Sequence, residues 1–177
     1  AANGVAQSIW SLAALIGSAM GPVFITVIGQ CMGAKDVDQA KFYFSKLIKW
    51  SLVFSIVWNV LVLAITPFIL QFYNLAYETK HLIFILVIIH NIANTVVFPL
   101  SGPLSQGLRA TGDVKFTMIV SIASTVGGRL VLSIILALKL NLGVIGIALA
   151  MCGDWTIRAI IFYYRYKSNA WTKFEVI

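Results

Sequence analysis

The sequence predicts an all-α integral membrane protein, a bundle of five transmembrane helices. Three observations carry this. Of the 177 residues, 60% are hydrophobic and 11% charged, against ~45–50% and ~25% in soluble domains. Four stretches, Ala1 to Ala34, Trp50 to Tyr77, Leu82 to Leu108 and Phe116 to Leu138, contain no charged residue except Arg129. Each exceeds the ~20 residues that cross a bilayer's hydrocarbon. A fifth stretch, Leu142 to Tyr164, is as long and carries Asp154 and Arg158.

Span I is read as about residues 5–32, closing on Gly33, which tolerates the left-handed conformation after a helix end. Asp36 followed by Gln39 resembles a capping box, so the next helix starts near Val37 and runs along the interface. It enters the membrane as span II, about 47–66, and Pro67 ends it. The link 71–79 carries Phe72, Tyr73 and Tyr77, residues suited to a headgroup belt.

Span III, about 81–108, contains Pro99 and Pro103. Each removes a backbone donor, so a kink or break is expected, with the two prolines as a hinge. Gly112 then stops the helix and Asp113 caps the next one. Span IV is about 116–138, residues 139–143 form a tight turn, and span V is about 144–164. The tail, 165–177, is polar and aromatic. The chain starts at Ala1 and enters an apolar segment with no basic leader, which reads as a piece of a longer protein.

The net charge of +7 is divided among loops between apolar spans, which argues against nucleic acid and for orientation in a bilayer. Lys35, Lys41, Lys46, Lys49, Arg109, Lys115, Arg158, Arg165, Lys167 and Lys173 fall on one side; Lys80 and Lys139 fall on the other. The excess places the first link, the third link and the tail in the cytoplasm. Cys31 and Cys152 show neither a disulfide framework nor a metal-ligand spacing, so no metal site is expected. Small residues at helical spacing, Gly17 and Gly21, Ser121, Thr125 and Gly128, and Gly146, Ala150 and Gly153, imply close helix packing.

The costly residues inside spans are Asn59, His90, Asn91, Asn94, Arg129, Asp154 and Arg158. At about 100° per residue, His90, Asn94, Ser101 and Ser105 share an arc of about 60° on span III. Such a stripe lines a solute cavity or supplies interhelical hydrogen bonds; the coincident prolines favour the cavity. Ser51, Ser55 and Asn59 form a similar arc on span II, read as packing. Arg129 and Asp154 lie at ~20 and ~16 Å depth, so they are expected to pair, with Arg158, one turn from Asp154, as the competitor. No nucleophile beside a base, paired carboxylates or metal cluster is visible, so the chain is not read as an enzyme.

Two loops carry a resemblance. Gly29, Gln30, Gly33, Ala34, Asp36 and Ala40 in the first link, and Leu108, Arg109, Gly112 and Asp113 in the third, resemble the paired motifs of the multidrug and toxic compound extrusion (MATE) transporters. Leu142 to Gly146 and Trp171 add to the likeness. The resemblance implies twelve spans in two six-helix lobes, of which this chain is spans eight to twelve, most of one lobe. It implies cation-coupled antiport exporting drugs or other cationic or amphipathic organic solutes, with Na⁺ or H⁺ as coupling ion and no cofactor. The implied partners are the lipid bilayer, the solute and the missing N-terminal lobe; the implied site is the plasma (inner) membrane, with a cytoplasmic C-terminus. Some members use a carboxylate in the span corresponding to span III. Here no acid lies between Glu78 and Asp113, so the coupling site is expected outside this chain, in the missing lobe or in a carboxylate of the missing seventh span. A lipid-linked oligosaccharide flippase of the same superfamily and a non-transporting membrane scaffold are the alternative readings.

Overall fold

The computed structural model describes residues 2–73 and 75–174. Position 74 of the second link and positions 175–177 of the tail lie outside the described residues. Among the described residues six helices make up the bundle: α1 (Ala2–Ala13), α2 (Leu15–Gly33), α3 (Val37–Gln71), α4 (Tyr77–Ala110), α5 (Val114–Lys139) and α6 (Gly143–Lys167). A short 3₁₀ turn, Ala170–Lys173, follows. The α2 to α6 helices are each long and apolar enough to cross a membrane. No strand occurs among the described residues.

The bundle is organised around α4, which packs on α6, α2, α3 and α1. Small residues set the close approaches. A Cβ on Gly107 would sit 2.7 Å from Phe44 and 2.8 Å from Phe24, and one on Gly146 would meet the backbone of Ala137 and Leu136 at 2.7 Å. Both α3 and α5 turn rows of apolar side chains outward, among them Trp50, Phe54, Val57 and Leu61 on α3 and Ile119, Ile122 and Leu130 on α5, as helices bordering lipid do.

Both links carrying the family motifs and the tail gather at one end of the bundle. Asp36 caps α3 by accepting from the Gln39 N–H at 2.9 Å, and Gly112 takes φ +93. Beneath them Phe24, Ile28, Phe44, Leu104, Leu108, Phe162 and Trp171 form a fully buried cluster. Trp171 packs at a tilt against Phe44 with centroids 4.8 Å apart and donates to the Tyr166 carbonyl at 3.1 Å. Asn169, at φ +52, turns the chain so that Trp171 folds back under the loops.

Several sequence expectations are corrected. Pro67 lies inside α3, which continues to Gln71; in apolar surroundings, ending the helix there would orphan more backbone groups than one proline removes. The left-handed residue after α2 is Lys35, at φ +58, not Gly33. Asp113 occupies the N-cap position without capping; its carboxylate is taken by Arg165, at 2.7 and 3.3 Å. Pro99 and Pro103 do not break α4, which is helical throughout. Irregular helix lies elsewhere. Ala14 separates α1 from α2, and α5 turns π-helical over Ser124–Leu130 and Ile135–Lys139, the first stretch containing the Gly127–Gly128 pair.

Candidate functional site

The polar stripe of α4 faces the interior of the bundle. His90, Asn91, Asn94, Ser101 and Ser105 are all buried, Asn94 to 1% exposure. His90 donates from Nδ1 to the Leu86 carbonyl at 2.8 Å, which directs Nε2 away from its own helix. Around the ring stand Trp10 of α1, with centroids 6.1 Å from His90, and Trp155 of α6, at 6.4 Å. The two indoles stack at 5.6 Å, and Phe98 meets Trp155 edge-on at 5.3 Å. Three helices therefore meet in an aromatic cluster beside the stripe.

Within and beside this cluster, hydrogen bonding is incomplete. Among the described residues, Trp10 Nε1, Asn91 Nδ2 and both amide atoms of Asn94 are buried without a partner. Buried polar groups in folded proteins nearly always have partners, and in apolar surroundings each unmet group carries a penalty of about 1–3 kcal/mol. Ser51 Oγ, Ser55 Oγ and Asn59 Oδ1 on α3 are unpartnered too. Other helix hydroxyls, Ser8, Ser11, Thr26, Thr66, Thr95 and Thr156, fold back onto the carbonyl four residues earlier. Ser51 and Ser55 do not, although both are buried to within 1%.

The interruption at Ala14 lies against α3. Trp58 Nε1 donates to the Leu12 carbonyl at 2.8 Å and Asn59 Nδ2 to the Ala13 carbonyl at 3.5 Å, so side chains of α3 take carbonyls at the helix interruption. That is the resatisfaction broken helices in membranes require.

The charged residues form a second cluster, in the seam between α5 and α6. Asp154 is fully buried; Arg158 Nη2 lies 2.7 Å from its Oδ2, and Ser124 Oγ donates to its Oδ1. Arg129 does not join it. Its Nη2 lies 2.9 Å from the Met151 sulfur, and among the described residues it has no ion pair. The expected Arg129–Asp154 pair is thus replaced by Arg158–Asp154. Arg158 is fixed one turn from Asp154 on the same helix, whereas Arg129 lies in the π-helical stretch, where i→i+5 bonding shifts side chains off the 3.6-residue phase.

The family motif residues lie at the loop end, away from the aromatic cluster. Ala40 and Leu108 are buried, Gly29 is half-buried, and Gln30, Gly33, Ala34, Asp36, Arg109 and Gly112 are exposed. Gln30 borders a groove of about 270 Å³ with Val27, Cys31, Gln39 and Tyr43.

A family model described as MatE matches residues 1–135. The chain belongs to the MatE family. Its motif loops and its polar central helix lie within the matched stretch. This MatE chain is also similar to an uncharacterized transporter, YisQ, of Bacillus subtilis (strain 168), 27% identical over 169 residues, which cover 93% of the chain and 36% of that relative. The chain therefore spans about a third of the length of the curated relative it matches.

Of the residues singled out in the sequence, the structure brings His90 into the aromatic cluster, with Asn94 one turn along the same face of α4. Pro99 and Pro103 are buried farther along α4. The sequence reading missed Trp10, Trp155, Ser124 and the Asp113–Arg165 pair. Tryptophan within an otherwise aliphatic span was the available signal for the first two; the last two depend on helix rotation and chain return, which no local pattern encodes.

Proposed function

We propose that the chain is part of a cation-coupled antiporter that exports organic solutes, with Na⁺ or H⁺ supplying the drive from a site outside these residues. The family membership over residues 1–135 carries the reading. The unpartnered amides on the central helix support it, because interior groups that face no partner in one conformation are free to meet a solute in another. In this reading the chain forms spans eight to twelve, in the plasma (inner) membrane, and the end holding both motif loops and the tail is cytoplasmic. The flippase alternative wants several arginines in a cavity; here Arg158 is held by Asp154, leaving Arg129 alone.

The test uses the full-length protein in proteoliposomes. An imposed Na⁺ or H⁺ gradient should drive counter-movement of at least one member of a panel of cationic, neutral and anionic fluorescent dyes, and collapsing the gradient should abolish it. Dye movement indifferent to both gradients would contradict antiport. In whole cells, single cysteines at Asp38 and Asn169 should be protected from an impermeant thiol reagent; labelling of both would invert the orientation.

A further inference from the structure

We infer that the seam between α5 and α6 is a binding site for one acidic phospholipid, which lays an acyl chain along the seam with its headgroup at the loop end of the bundle. The inference concerns the lipid surface and is independent of the solute and the coupling ion. Two observations carry it. The first is an open trough of suitable length. A groove of about 290 Å³ in the seam runs into a second of about 440 Å³ toward the loop end, and the two share Ile161. Phe116, Val120, Ser124 and Gly128, spaced four apart, line it from α5. Ile157, Ile161 and Arg165 repeat that spacing on α6. From Phe116 to Gly128 the trough runs ~18 Å along α5, and one leaflet of a bilayer's hydrocarbon core is about 15 Å deep. An acyl chain therefore fits lengthwise. Ser124 is the one polar residue lining the inner groove, and its hydroxyl is spent on Asp154, so the trough stays apolar until the loop end.

The second observation is the chemistry of the edges. At the loop end the trough reaches Arg165 and Ser168, and the exposed Lys115 stands one helical turn before Ile119, which lines the inner groove. Asp113 takes Nε and Nη2 of Arg165, so these three charges leave a positive balance at the mouth, carried by Lys115. A phosphodiester there meets a cation, while the chain behind it meets only apolar side chains. Along the rims Ile119, Ile160 and Tyr164 are 61%, 52% and 72% exposed. Membrane helices pack closely through small residues. The bulky rims hold a second helix away from Ala123 and Gly128 in the trough, whereas a single alkyl chain passes between them.

The experiment counts phospholipid retained by the purified full-length protein in native mass spectrometry, after exchange in detergent against dioleoylphosphatidylglycerol or dioleoylphosphatidylcholine, which share their chains. Wild type should hold the glycerol lipid about fivefold more tightly, the worth of one basic residue at a membrane surface. Lys115→Gln should remove that preference and leave the choline lipid unchanged. Ala123→Phe, which fills the trough from an exposed position, should lower retention of both lipids at least about tenfold, the worth of two buried methylenes. Val126→Phe, exposed on the same helix outside the trough, should lower neither. Lys115 is exposed, so its variant reports even if Ala123→Phe fails to fold. Equal affinity of wild type for the two lipids, a preference that survives Lys115→Gln, or equal losses in Ala123→Phe and Val126→Phe overturns the inference. Retention of no phospholipid overturns it too, and is the result expected if another part of the protein covers the seam.

Discussion

The loop end and the middle of this bundle solve the same problem differently. At the loop end Thr111, Asp113, Thr117 and Trp171 are all buried, and each has a partner: Leu108 O, Arg165, Asp113 O and Tyr166 O. In the middle, Ser51, Ser55, Asn91 and Asn94 are buried and Trp10 is half-buried, and each has a buried polar atom with no partner among the described residues. The chain can satisfy buried polar groups where it needs a fixed structure. Where it leaves them unmet, on three helices around a helix interruption, the groups are available to something that comes and goes. On the proposed transport reading, the loop end is a clasp and the middle is the working part.

The largest effect is expected from opening the clasp. Trp171→Ala removes a fully buried ring from beneath both motif loops and should lower stability by about 3–5 kcal/mol, the usual range for emptying such a site. The measurement is the melting temperature of the purified full-length protein and its abundance in membranes; an unchanged melting temperature would mean that the tail does not hold the loops.

The charged seam offers a sharper contrast. Arg158→Ala leaves Asp154 buried without its counter-ion and should cost about 2–3 kcal/mol, whereas Arg129→Ala removes a guanidinium with no carboxylate partner and should cost less than about 1 kcal/mol. Membrane abundance of the two variants, side by side, checks the order. A larger loss for Arg129→Ala would restore the cross-helix pair that the sequence alone suggested.

The smallest effect belongs to α3. Ser51→Ala and Ser55→Ala each delete a buried hydroxyl that bonds nothing among the described residues, so stability should change by less than about 1 kcal/mol, in the stabilising direction. Thermal unfolding of the double variant reads this directly, and a marked loss would show that the hydroxyls hold the bundle together.

How much of this was legible in the sequence follows from how local each signal is. Span number came from the lengths of apolar runs, and the Asp36 cap and the Gly112 stop from residues acting within one turn. Pro67 misled because a helix in apolar surroundings continues through a single lost bond rather than exposing a whole end. The polar face of α4 was visible as a 3.6-residue pattern, but its aromatic neighbours were not, since Trp10 and Trp155 reach it only through the crossing of α1, α4 and α6. Arg129 was misassigned because its π-helical stretch breaks the phase on which the pairing was drawn. The Asp113–Arg165 pair joins residues 52 positions apart, and no spacing rule foretells which loop the tail will meet.

The most direct test of the division between clasp and working part is Asn94→Leu in the full-length protein, with melting temperature and gradient-driven solute movement measured on the same preparation. Removing an amide whose two polar atoms are buried without partners should hold or raise the melting temperature while reducing transport at least about tenfold, the value of one lost hydrogen-bonding group in a binding site. A melting temperature that falls in step with transport would contradict the account, and would make Asn94 part of the scaffold.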